Sequence, residues 1–417
     1  MGETFAEKLL ARKAGLAGVV PGQIVVVQPD KLLTHDNTAA ISKKFYQIGV
    51  ERVANPRINV IVLDHVTPAA DEKYATNHQV IRQFAAEQGI EAFYDVGEGI
   101  CHQVLPEKGH AWPGALIVGS DSHTPTHGAF GAFAAGIGRT EAAAVMATGN
   151  IWLRVPHSFR IVIRGAMPPR VTPKDLALHI IGDLRADGAD YRSVEFAGET
   201  VRDMSVAGRM VLTNMVAEMG GKNGVIEPDD KTRAWLQGRV THEYEEIHAD
   251  PDASYERVIE YNVSGLAPQV AKPHTVDNVV PVTETAGIPI DQALIGTCTN
   301  GRVEDLAAAA EILRGRHIAP GVRLLVLPAS REVLLQAVEQ GLVSDLVAAG
   351  ATLLNPGCGP CLGAHQGCMA PGETTISTAN RNFKGRMGAK EAFIYLASPA
   401  TVAASALTGA ITDPREV

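Results

Sequence analysis

Three of the five cysteines fall where thiolates could share a metal. Cys358 and Cys361 form a Cys-x-x-Cys pair within Asn355-Pro-Gly-Cys-Gly-Pro-Cys, and Cys298 stands earlier in Gly296-Thr-Cys-Thr-Asn300. Soft thiolates suit zinc, copper(I) or an iron–sulfur cluster, and three of them leave a position of a four-coordinate centre open. An open position implies chemistry. Two other readings fit the pair taken by itself. Cys-Gly-Pro-Cys is also a thioredoxin-type redox motif, although that motif usually follows an aromatic residue and opens a helix. Here Pro356-Gly357 precedes it and Gly363 follows, as in a loop. A closed zinc site needs a fourth ligand, which Cys368 or His365 could supply. On the pair alone, cluster, zinc and redox stand level.

A second group of residues could move protons. The apolar strand 59–63 runs into Asp64-His65, and the buried strand 115–118 runs into Gly119-Ser120-Asp121-Ser122-His123. Ile100-Cys101-His102-Gln103 lies between them. Strands that end in a carboxylate and an imidazole place both at the carboxyl edge of a sheet, where open α/β folds keep their sites. A single such ending is commonplace on a surface; two, with a third histidine and the cysteines, suggest a constellation. By contrast, Thr34-His35-Asp36-Asn37-Thr38 reads as the polar cap of the helix that follows.

The elements that must position these residues divide into three α/β units. A chain of 417 residues, 46% hydrophobic and 20% charged, buries a sizeable core and is expected to form roughly three domains. The first, 1–155, begins with a helix capped by Thr4 and a strand over 24–27. Its glycines at 128, 131, 136 and 138 lack the spacing of a dinucleotide fingerprint, so NAD is not expected. The second, 156–271, starts with a strand over 159–163 and a helix from Pro173, and carries Asn214 and Glu218 four apart, as on one helical face. The segment 227–260 shows no legible chemistry. In the third, 272–417, strands at 292–296, 322–327, 351–354, 374–377 and 392–396 alternate with helices, which specifies a parallel sheet with right-handed crossovers. All three cysteines then leave carboxyl ends of strands. The loop Asn380-Arg381-Asn382-Phe-Lys-Gly-Arg386 adds two arginines able to grip carboxylates bidentately.

Composition excludes other classes. A formal charge of −9 offers no basic stripe for nucleic acid. Cysteines without a framework, a first stretch without a signal-peptide core and the lack of long apolar runs lead to the expectation of a cytoplasmic protein, without membrane contact.

Taken together and in this order, Asp64-His65, His102-Gln103, Asp121-Ser-His123, Gly-Thr-Cys298-Thr-Asn, Cys358-Gly-Pro-Cys361 and Asn380-Arg-Asn-Phe-Lys-Gly-Arg386 resemble the aconitase superfamily over nearly the whole chain. The similarity is greatest to large subunits of two-subunit 3-isopropylmalate isomerases and homoaconitases. The resemblance implies a three-domain α/β large subunit, with α/β/α layers and mostly parallel sheets around a 4Fe-4S cluster, and ranks the cluster above zinc and redox. It implies cluster ligands Cys298, Cys358 and Cys361, with Cys101 and Cys368 as packed non-ligands. It assigns acid function to Asp64-His65, with Asp121 orienting His102 and Glu218 orienting His123. Ser122, Arg381 and Arg386 would bind substrate carboxylates, and Asn214, Asn300 and Asn380 would support the cluster or its ligands.

The reaction implied is dehydration and rehydration of a hydroxy dicarboxylic acid, which requires a Lewis acid and a proton donor for the departing hydroxyl. The first expectation is 3-isopropylmalate, in leucine biosynthesis. Homoaconitate, in lysine biosynthesis, comes second, followed by 2,3-dimethylmalate and citraconate-type acids. Ala40 stands where aconitases place a carboxylate-contacting Gln, which argues against citrate. Single-chain relatives continue into a mobile fourth domain that supplies the serine base. With no such domain after 417, a separate small subunit, the swivelling domain, is expected to complete the site. A different class, a nucleic-acid-binding apo form, is disfavoured by the charge.

Overall fold

Every apolar run read as a strand forms one, within about two residues of the expected bounds, in a computed structural model that describes residues 2–417. The strands assort into three open sheets and one small ribbon. The first sheet is wholly parallel, in the order Phe93–Tyr94, Asn59–Val62, Lys31–Thr34, Leu116–Gly119, Phe133–Gly136. Asn59–Val62 and Leu116–Gly119 are buried throughout, as a parallel sheet covered on both faces demands. The second sheet is also parallel, in the order Asn223–Ile226, Ser193–Ala197, Ser158–Arg164, Arg257–Asn262. The third has five parallel strands in the order Phe393–Leu396, Thr374–Ser377, Gln292–Gly296, Arg323–Leu327, Thr352–Leu353. Gln269–Ala271 and Val279–Pro281 extend it antiparallel at one end.

The first and third sheets share a topology that matters for the site. In each, the chain lays down three neighbouring strands in one direction, then returns to the far side of the first to add two more. The reversal opens a crevice at the carboxyl ends of two adjacent strands. In the first sheet it lies between Lys31–Thr34 and Leu116–Gly119, in the third between Gln292–Gly296 and Thr374–Ser377.

Helix signals hold where they are local. Thr4 and Glu7 form a reciprocal capping box at the start of Phe5–Ala14, and Thr172 with Asp175 does the same for Pro173–Leu184. Two expectations are corrected, and one silent segment gains a structural role. Asn37 caps Thr38–Gln47 without a side-chain hydrogen bond, so the polar run 34–38 does other work. Asn214 lies in the last turn of Val206–Met215 while Glu218 lies in the tighter 3-10 turn Val216–Met219, so they do not share one α-helical face. The silent segment 227–260 supplies most of the edge strand Arg257–Asn262. No helix among the described residues is long and apolar enough to cross a membrane.

Candidate active site

The cysteines converge because strand ends deliver them. Gly296 closes its strand at φ +146°, where an added Cβ would lie 2.3 Å from the Leu327 carbonyl oxygen. Only glycine permits that turn, which carries Cys298 inward. Cys358 and Cys361 flank and enter a short 3-10 turn, Gly359–Leu362. Cys298 and Cys361 are buried and Cys358 is half-buried. Neutral amides hold the sulfurs: Asn214 Nδ2 lies 3.3 Å and Asn380 Nδ2 3.2 Å from Cys298 Sγ, and Cys361 Sγ lies 3.7 Å from Asn380 Oδ1. Arg386 Nη2 donates to Cys361 Sγ at 3.5 Å, while its Nε is buried without a partner. The Cys358 thiol and Arg386 draw Cys361 below the ordinary thiol range against the effect of burial, whereas burial pushes Cys298 up to about 12. Three gathered sulfurs, with N–H donors on Cys298 and Cys361, fit an iron–sulfur cluster, whose ligands accept such bonds.

The other cysteines stand apart. Cys101 is fully buried in the core of the first sheet. Cys368 is exposed and donates to the Gly363 carbonyl, so the expectation that it is packed is corrected.

Opposite the sulfurs stand the imidazoles, each held by a carboxylate. His65 Nδ1 lies 2.6 Å from Asp64 Oδ1, and its Nε2 lies 3.7 Å from Asp121 Oδ2. His102 Nε2 is 2.7 Å from Asp121 Oδ1, and His123 Nε2 is 2.6 Å from Glu218 Oε1. Arg381 Nε closes the row, donating to Glu218 at 2.8 Å. Burial pulls His65 down, but Asp64 and Asp121 outweigh it and raise its pKa well above the ordinary value. Burial alone would raise Asp121; hydrogen bonds from His102, His123 and His65 hold it well below the carboxylate range.

The two edges are joined directly. The Cys358 N–H donates to the Asp64 carbonyl at 2.7 Å, and a Cβ on Gly357 would fall 2.8 Å from that same oxygen. Arg302, buried, donates to Gln103 Oε1 at 2.9 Å, to the Thr299 carbonyl at 2.6 Å and to the Cys298 carbonyl at 2.9 Å. It thereby ties the His102 helix to the Cys298 loop.

Two expected site residues are placed differently. Ser122 is exposed and lines an open cavity with Gly136 and Lys222, making no side-chain hydrogen bond among the described residues. Asn300 Nδ2 donates to Asp305 at 2.8 Å rather than to a sulfur, and its Oδ1 has no partner.

Other residues escaped the sequence reading. Asp36 accepts the backbone N–H groups of Asp64, His65 and Val66 at 2.9, 2.8 and 3.1 Å, and lies 3.0 Å from His78 Nε2. His35 stacks on His65 with ring centroids 3.7 Å apart. Burial depresses the pKa of His35 to about 4, which keeps that neighbour neutral. Only the crowding of polar residues over 34–38 signalled them.

Comparison with known proteins follows the same lines. The family model described as Aconitase family (aconitate hydratase) matches residues 7–409. The 3-isopropylmalate dehydratase large subunit 1 of Methanopyrus kandleri is 53% identical over 416 residues, covering 100% of this chain and 99% of its own. The probable methanogen homoaconitase large subunit of Methanosarcina mazei is also 53% identical, over 389 residues, covering 93% of this chain and 99% of its own. The 3-isopropylmalate dehydratase large subunit of Halothermothrix orenii is 48% identical over 419 residues, with 100% of each chain covered. With its motifs gathered at one locus and the match running nearly end to end, the chain belongs to the aconitase family.

Proposed function

We propose that this chain is the large subunit of a hydro-lyase that dehydrates and rehydrates 3-isopropylmalate in leucine biosynthesis, with a 4Fe-4S cluster on Cys298, Cys358 and Cys361. What carries the reading is the meeting of three sulfurs, Cys298 among them held by two amides, with three carboxylate-held imidazoles across one crevice. When bound, such a cluster supplies a Lewis-acidic iron for the oxygen of the departing hydroxyl. In this reading His65 holds the proton for that oxygen. Its raised pKa keeps it protonated at neutral pH, Asp64 fixes its tautomer, and its side chain is 18% exposed, enough to reach a substrate. Asp121 orients His102, and Glu218 orients His123 while holding Arg381 by Nε, which leaves that guanidinium's terminal nitrogens for a carboxylate. Arg386 spans sulfur and substrate, Ser122 binds substrate once the cavity is covered, and Asn300 acts on the cluster loop through Asp305.

A proton beside a carboxylate must also leave, and none of these residues is a base for it. The large-subunit names of the relatives support a small-subunit partner, which in this reading carries the base and closes over both edges. Thiols that must stay reduced suit the cytoplasm. Homoaconitate is the second substrate reading, favoured by the Methanosarcina mazei relative. The test is anaerobic reconstitution with and without the small subunit, assayed on 3-isopropylmalate, homoaconitate, 2,3-dimethylmalate and citraconate. A preference for homoaconitate overturns the substrate. Full turnover by this chain alone overturns the divided site, and a colourless, zinc-loaded protein overturns the enzyme.

A further inference from the structure

Lys174 is a cation with no ordinary place for its charge. Its side chain is 0% exposed. Nζ donates to the backbone carbonyls of Thr378 at 2.9 Å and Ala379 at 2.7 Å, and lies 3.8 Å from Met215 Sδ. No carboxylate among the described residues forms an ion pair with it. An ammonium withdrawn from water in this way is costly unless an anion compensates it.

Its contacts indicate which anion. Met215 follows Asn214, and Ala379 precedes Asn380, the two residues whose amides lie against Cys298 Sγ. Lys174 therefore stands one residue behind each of them. Burial lowers its proton affinity to about 8, and the strongest opposing influences are the Cys298 and Cys361 sulfurs, ahead of Glu218 and Asp305. A dicationic 4Fe-4S core with three thiolates carries one net negative charge, which a single ammonium offsets.

We propose that Lys174 is the buried counter-charge of the three-cysteine cluster and, by bracing the segments of Asn214 and Asn380, a positioning residue for Cys298. The proposal rests on the cluster reading above. It makes opposite demands on the two states of the protein. Without the cluster, Lys174 is a buried cation lacking its partner and burdens the fold. With the cluster, it favours the reduced form and helps retain iron.

The experiment compares the full chain with Lys174→Met, each prepared apo and anaerobically loaded. The apo variant is expected to melt at or above the wild-type temperature. The loaded variant is expected to lose iron in air about tenfold faster and to show a more negative midpoint potential by spectroelectrochemistry. An apo variant that fails to fold overturns the proposal, because the ammonium would then hold the chain itself together. Loaded variant and wild type with equal potentials and equal iron loss also overturn it, while leaving the cluster reading intact. A wild-type chain that takes up no iron removes the cluster reading and the proposal with it.

Discussion

The carboxyl edges of the first and third sheets meet at one locus and share a strand order, yet they hold their side chains by opposite means. On the first, imidazoles and carboxylates hold one another: Asp64 with His65, Asp121 with His102, and Glu218, brought in from the second sheet's helix layer, with His123. On the third, Cys298 Sγ is held by the neutral amides of Asn214 and Asn380, and Cys361 Sγ by Asn380 and by an arginine whose charge does not titrate. The difference follows from what each edge has to do. Groups that exchange protons need partners whose charge moves pKa values, while groups that keep a metal need donors that do not titrate.

The sharpest way to break this comparison is one substitution on each edge. Cys361→Ser should give a chain without cluster absorbance and without turnover. His65→Ala should keep the cluster spectrum and lower kcat by about 10²–10⁴-fold, the usual share of a general acid. Iron loss in the His65 variant would merge the two edges into one function.

Asp121→Asn sharpens the comparison within the first edge. It removes the acceptor of His102 and one of the two carboxylates that raise the pKa of His65. A proton donor must be protonated to work, so lowering its pKa removes activity from the alkaline side first. The alkaline limb of the pH–rate profile should move to lower pH, and kcat should fall by about 10²-fold. An unmoved limb would detach Asp121 from His65.

Asp36→Asn tests a residue that touches neither sulfur nor substrate. Its carboxylate accepts three consecutive backbone N–H groups after the strand Asn59–Val62, and an amide cannot replace that charge-assisted set. We expect a loss of about 1–3 kcal/mol in unfolding free energy, with iron binding unchanged. Unaltered urea melts would show that the Asp64-His65 loop holds itself.

Asp36 also marks where sequence stops being legible. Strand ends could be read because apolar runs and the polar residues that follow them are neighbours in the chain. So could Thr4 and Thr172, whose capping partners lie three residues away. Asp36 acts 28 to 30 residues from its position, and Arg302 joins Gln103 across 199. No local pattern encodes such reach. Asn214 and Glu218 show the converse: their spacing suggested one helical face, yet a tightening of the helix after Met215 places both at the site by another path. Asn300 sits inside a recognisable motif, but its side chain turns to Asp305.

The remaining test belongs to the second sheet, whose buried Glu195 serves as a control for the first edge. Its oxygens accept the Phe5 N–H at 2.9 Å and the Tyr255 hydroxyl at 2.7 Å, with no imidazole against it. Burial therefore wins over those donors and lifts its pKa from 4.5 to about 7, the reverse of what imidazoles do to Asp121. The folded chain binds this proton more tightly than the unfolded chain does, so the stability this group contributes is fully present below pH 4.5 and is lost as pH rises through 7. A shift of that size corresponds to roughly 3 kcal/mol. Asp175 and Asp305, each raised by burial to about 6, add slopes of the same sign, so only the difference between wild type and Glu195→Gln isolates this group. Urea unfolding at pH 5 and pH 8 should show wild type losing more stability than the variant between the two. Equal losses would mean that Glu195 reaches solvent or finds a cation when folded, and that burial without an imidazole partner is not what separates it from the carboxylates of the first edge.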